Sequence, residues 1–64
     1  MEAPLREIKS NMTTYPRLEK VILRGNMNTV FEAIDCEIRG NMNTISRAVR
    51  CKIHGNMNTV LSES

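Results

Sequence analysis

Cys36, Cys51 and His54 are the side chains here best suited to thiol, imidazole or metal chemistry, in a chain of 64 residues with two cysteines and one histidine. A protein zinc site needs three or four such ligands converging on one point. A catalytic imidazole needs a carboxylate to orient it and a nucleophile to serve. Neither partner stands at an evident position for His54, so the sequence predicts no catalytic residue, no metal and no cofactor. Cys36 and Cys51 read as two small core residues, or as a disulfide if they fall on adjacent strands. Two thiols in a chain with no apolar leader are expected to be reduced.

What positions these residues is a tandem repeat. Gly25-Asn26-Met27-Asn28-Thr29 recurs as Gly40-Asn41-Met42-Asn43-Thr44 and as Gly55-Asn56-Met57-Asn58-Thr59, each time after 15 residues. Ser10-Asn11-Met12-Thr13-Thr14 is a degenerate copy one period earlier. The intervening positions align as well: Ile8, Leu23, Ile38 and Ile53; Val21, Cys36 and Cys51; Leu18, Ala33 and Ala48; Tyr15, Val30, Ile45 and Val60.

Each copy holds an alternating stretch. Cys36, Ile38, Gly40, Met42 and Thr44 fall on one side and Glu37, Arg39, Asn41 and Asn43 on the other, which is the period of a β-strand. Burying Glu37 and Arg39 without partners would be costly. The expected phase therefore turns Cys, Ile, Gly and Met inward and both asparagine columns outward, with the glycine leaving room for a neighbouring methionine. Val30, Ala33 and Cys36 recur at a period near three, which suits a tight bend or a turn of helix. Leucine-rich repeats need about 20–29 residues per unit, so a shorter period fits one rung of a solenoid with rungs ~4.8 Å apart.

Charge gives an independent check. Stacking at this pitch aligns Arg17, Glu32 and Arg47, then Lys20, Asp35 and Arg50, and sets Glu37 beside Lys52. Every neighbouring pair in these columns has opposite sign, and such pairs contribute roughly 0.2–1 kcal/mol each. The column Arg24, Arg39 and His54 is the exception, repulsive unless an anion joins it. The predicted fold is all-β: a small single-domain parallel β-solenoid of about four rungs, spanning residues 8–22, 23–37, 38–52 and 53–64, behind an N-terminal cap of residues 1–7.

The net charge of +2 is too small and too scattered to argue for nucleic acid. No apolar run approaches the ~20 residues of a membrane helix, so a cytoplasmic protein without membrane contact is expected. A domain this short buries only ~60% of its unfolded surface and benefits from a partner. Phe31, Ile34, Val49 and Leu61 would form an apolar stripe if exposed, and Ile53 and Val60 lie on the last rung. These six residues are the expected interface of a homo-oligomer, with a dimer the simplest form. The asparagine columns are expected to hydrogen-bond up the ladder through their stacked amides, and Asn26, Asn28, Asn41, Asn43, Asn56 and Asn58 are also the candidate binding face.

The Gly-Asn-Met-Asn-Thr pattern resembles the short β-solenoid repeats of bacterial and phage proteins. In rung length it also resembles the left-handed β-helices of some insect antifreeze proteins, although their outward ladders are Thr-x-Thr rather than Asn-x-Asn. The open rung edges and the apolar stripe point to a non-enzymatic, self-associating structural or protein-binding module. Alternatives are a small phage or mobile-element inhibitor binding a host protein through a flat face, and ice or glycan binding through the asparagine ladder.

Overall fold

Leu23, Ile38 and Ile53 stand side by side on adjacent strands in the computed structural model, each in direct register with the next. Residues 5–62 are described. Seven strands form: β1 (Leu5–Ile8), β2 (Thr14–Tyr15), β3 (Leu18–Leu23), β4 (Thr29–Val30), β5 (Ala33–Ile38), β6 (Thr44–Ile53) and β7 (Thr59–Ser62). One side of the coil stacks β1, β3, β5 and the second half of β6. The other stacks β2, β4, the start of β6 and β7. All pairings are parallel and, apart from Ala48 with Ser62 beyond an irregularity at the end of the stack, join each residue to its counterpart one repeat away, so the chain is a parallel β-solenoid of about four rungs.

The core is a set of columns. Leu18, Ala33 and Ala48 form one; Val21 and Cys36, Leu23 and Ile38, and Val30 and Ile45 form others, all buried. Withdrawing a side chain such as Ile38 wholly from water contributes roughly 1.5–3 kcal/mol. The period of three between Val30, Ala33 and Cys36 is a bend and not a turn of helix: all three face inward, while Ile34 and Asp35 both lie toward the surface. In β6 the chain continues as strand through this corner, with a register irregularity between Ile45 and Ala48.

The alternating charge columns form. Arg50 Nε lies 2.8 Å from Asp35 Oδ1, and Arg17 Nε 3.8 Å from Glu32 Oε1. The like-charged column is relieved from the side. Arg24 Nε donates to Glu7, and Glu37 Oε2 lies 2.8 Å from Arg39 and 3.3 Å from His54 Nε2. Glu37 is in register with Lys52, yet its carboxylate turns to the Arg39 and His54 side chains instead.

The structure differs from the sequence reading in three places. Leu5–Glu7, assigned to the cap, belong with Ile8 to strand β1, which pairs in register with β3. Among the described residues the parallel stack therefore starts at Leu5, and Met1–Pro4 lie outside them. Cys36 and Cys51 are joined as a disulfide, not reduced, because in-register stacking brings their Cα atoms to 4.5 Å, inside the bridging range of about 4.4–6.8 Å. Finally, the inward phase fails beyond Gly40, for the reason given next.

Candidate interaction surfaces

Met12, Met27, Met42 and Met57 have φ of 57°, 57°, 57° and 58°. This left-handed conformation costs an L-residue roughly 1–2 kcal/mol, and it turns the chain sharply between β3 and β4 and between β5 and β6. The alternation is broken there, so side chains after the turn change sides. The methionines expected in the core are exposed, and Asn28 and Asn43, expected outside, are fully buried. Thr14, Thr44 and Thr59 are exposed on the far side of the corner.

A corner this tight takes its backbone groups out of the strand ladder, and buried ones must find other partners. The asparagines supply them. In the inner column, Asn43 Oδ1 accepts the Asn28 N–H at 2.9 Å and Asn58 Oδ1 accepts the Asn43 N–H at 2.9 Å. Asn43 Nδ2 donates to the Gly25 carbonyl at 3.2 Å, and Asn58 Nδ2 to the Gly40 carbonyl at 3.1 Å. In the outer column the sense reverses: Asn11, Asn26 and Asn41 Oδ1 accept the N–H of Asn26, Asn41 and Asn56 at 2.8, 2.9 and 2.8 Å. Among the described residues, Asn28 Nδ2 is the one buried side-chain nitrogen or oxygen without a partner.

The glycines are required by close approach. A Cβ on Gly40 would lie 1.8 Å from the Gly25 carbonyl oxygen, and one on Gly55 would lie 1.8 Å from that of Gly40. The space beside each glycine is thus filled by the preceding rung's backbone, not by a methionine.

These facts redistribute the candidate residues. Asn28 and Asn43 cannot belong to a binding face, and Asn58 is half-buried; Asn26, Asn41 and Asn56 remain toward the surface as a structural ladder. The six-residue apolar interface divides. Phe31 and Leu61 are exposed in one column with Pro16 and Ser46, whereas Ile34 and Val49 share another, beyond the charged column of Arg17, Glu32 and Arg47. Ile53 and Val60 are the core columns of the last rung.

No family model, curated protein or solved structure matches this chain. Its surfaces must be read from their own chemistry.

Two stand out. The first is the side between the corners, where the methionine column, the threonine column of Thr14, Thr29, Thr44 and Thr59, and the column of Pro16, Phe31, Ser46 and Leu61 follow one another without a charged residue. The second is the C-terminal end of the stack. Ile53 is 48% exposed, although Leu23 and Ile38 in the same column are 0% exposed. Cys51, Gly55, Asn58 and Val60 are each less buried than their counterparts one rung earlier.

Thiol and imidazole chemistry is constrained. The described cysteines are both in the disulfide, and no cluster of three or more metal-ligating side chains occurs among the described residues. His54 does gain a carboxylate, Glu37, which the linear sequence did not suggest because the two meet across rungs. That glutamate is shared with Arg39, an arrangement of surface charge pairing.

Proposed function

We propose that this chain is a non-enzymatic, self-associating structural module whose joint is the C-terminal end of the solenoid. The carrying observation is Ile53, half exposed in a column that is otherwise sealed. An apolar residue of that size left half in water forfeits on the order of 1 kcal/mol. The strand that bears it also ends the β1-β3-β5-β6 stack among the described residues. Such an edge presents unpaired N–H and C=O groups to any strand that can meet it. A second copy offers the same exposed rung, and two-fold pairing of identical ends is the commonest way to close such a surface.

Light scattering coupled to size exclusion, at micromolar concentration, tests this reading. Twice the protomer mass is expected, and Ile53→Lys should shift it toward one. A wild-type monomer across the whole concentration range would refute self-association.

A second reading, binding of a different protein, is favoured by the uncharged side carrying Met27, Met42 and Phe31, since exposed methionines adapt to varied apolar partners. Phe31→Asp separates the two readings. It should leave an end-to-end dimer intact and weaken any complex made through the side.

A further inference from the structure

Among the places where the first rung departs from the repeat, four are positions that the inner rungs use to meet the rung before them. The position of Gly25 and Gly40 is Ser10. On the inner rungs a Cβ there would strike the preceding rung's carbonyl oxygen at 1.8–1.9 Å. The position of Asn28 and Asn43 is Thr13. An asparagine there reaches back with Nδ2 to the preceding glycine carbonyl, as Asn43 does to Gly25. Thr13 lacks the amide, and its hydroxyl is turned forward, onto Asn28 Oδ1.

The position of Phe31 is Pro16. Phe31 N–H donates backward to the Tyr15 carbonyl at 3.0 Å, and a proline has no N–H to give. The position of Val21 and Cys36 is Arg6. Its guanidinium carbon lies 5.7 Å from the centroid of the Tyr15 ring, so a charge stands at the mouth of the core. The last rung keeps the repeat's residue type at every one of these places or a close equivalent: Cys51, Gly55, Asn58 and, in the proline's column, Leu61.

We infer that the first rung is a built terminator, which accepts no parallel rung on its N-terminal side. A copy stacked head to tail would bring Ser10 Cβ against the Gly55 carbonyl, leave that carbonyl without its asparagine, and leave the Val60 carbonyl facing Pro16. It would also lower Arg6 onto the apolar last rung. Terminal repeats that differ from the inner ones are the general means by which repeat proteins limit their length, and a buried or core-facing charge is a known guard on an open strand edge. The terminator stands on these four residues alone. Its consequence for assembly rests on the self-association proposed above: with one end barred, copies join only through their C-terminal ends, and the product is a closed pair, not a fibre.

Restoring the repeat tests the terminator directly. The variant Arg6→Val, Ser10→Gly, Thr13→Asn, Pro16→Val should show a mass that climbs with concentration and form rods visible by negative-stain electron microscopy. The wild type should stop at a fixed mass. Adding Ile53→Lys to that variant should abolish the rods, because it blocks the other half of the joint. Circular dichroism confirms that each variant keeps its β-structure, and Pro16→Val with Ser10→Gly serves if the fourfold change does not. Rods from the wild type, or a restored variant no larger than wild type, overturn the terminator. A monomeric wild type beside a restored variant that polymerises removes the proposed dimer and leaves the terminator standing.

Discussion

Asn43 bridges three rungs: its Nδ2 donates to the Gly25 carbonyl on the rung before, its Oδ1 accepts the Asn28 N–H on that same rung, and its own N–H goes to Asn58 Oδ1 on the next. Asn41, two residues earlier, bridges too, but at the surface. The two columns point in opposite senses, so the corner is tied forward on its outside and backward on its inside.

Asn43→Ala strands a buried donor and a buried acceptor, and about 2–4 kcal/mol of stability should be lost. Asn41→Ala leaves its partner N–H within reach of water and should cost under ~1 kcal/mol. Urea unfolding of the two variants decides the matter; equal losses would mean that the inner ladder has no special weight.

The methionines hold a conformation that glycine adopts freely, and their side chains are exposed. Met42→Gly should therefore stabilise by up to about 1 kcal/mol, after the entropy of the freer unfolded chain is set against relieved strain. In a domain of this size that is a rise of roughly 4–8 °C in Tm. Gly40→Ala should act in the opposite direction, since its Cβ meets a backbone oxygen that cannot move aside without parting the rungs.

The Cys36–Cys51 bond closes a loop with a sequence separation of 15. For such a loop the chain-entropy model gives about 3 kcal/mol. Reductant should lower the denaturant midpoint of the wild type and leave a Cys36→Ala, Cys51→Ala variant unmoved. Unreduced protein should take up no thiol reagent after unfolding; two labelled cysteines would show that the bond does not form.

Glu7 is held below the ordinary carboxylate range, first by the hydrogen bond from Arg24 and then by the charges of Arg24 and Lys9, with desolvation opposing them. A carboxyl whose pKa is lowered by folding stabilises the fold above its unfolded value of about 4.3 and loses that effect as pH falls through the folded value. The Tm of wild type should exceed that of Glu7→Gln near neutrality, and the gap should close in acid. A gap independent of pH would place the effect elsewhere.

The architecture was legible because the period, the apolar columns and the alternating charges all give the same register. Lys20, Asp35 and Arg50 could be aligned from sequence alone, and they are aligned in the structure. The corner was not legible from alternation. Met42 looks inward by hydropathy, and Asn43 outward by polarity. A left-handed residue reverses both, and methionine gives no hint of it. The available signal lay in its neighbours: Gly-Asn and a second Asn two places on are turn formers. They mark a place where side-chain amides serve backbone groups. The disulfide is hidden from compartment arguments, which point to reduced thiols; the shared column and the rung spacing are what put the two cysteines within bridging reach.

The strand pairing has a mechanical consequence. The hydrogen bonds between rungs run along the stacking axis, so a pull applied at the two ends of the chain loads them a few at a time and peels the coil rung by rung. Each freed rung should lengthen the tether by about 50 Å, the extended reach of 15 residues. The segment between Cys36 and Cys51 is the exception, because the sulfur bridge carries the tension past it. Stretched singly, the oxidised molecule should come up one rung short of its full contour, and a reducing buffer should return the missing length.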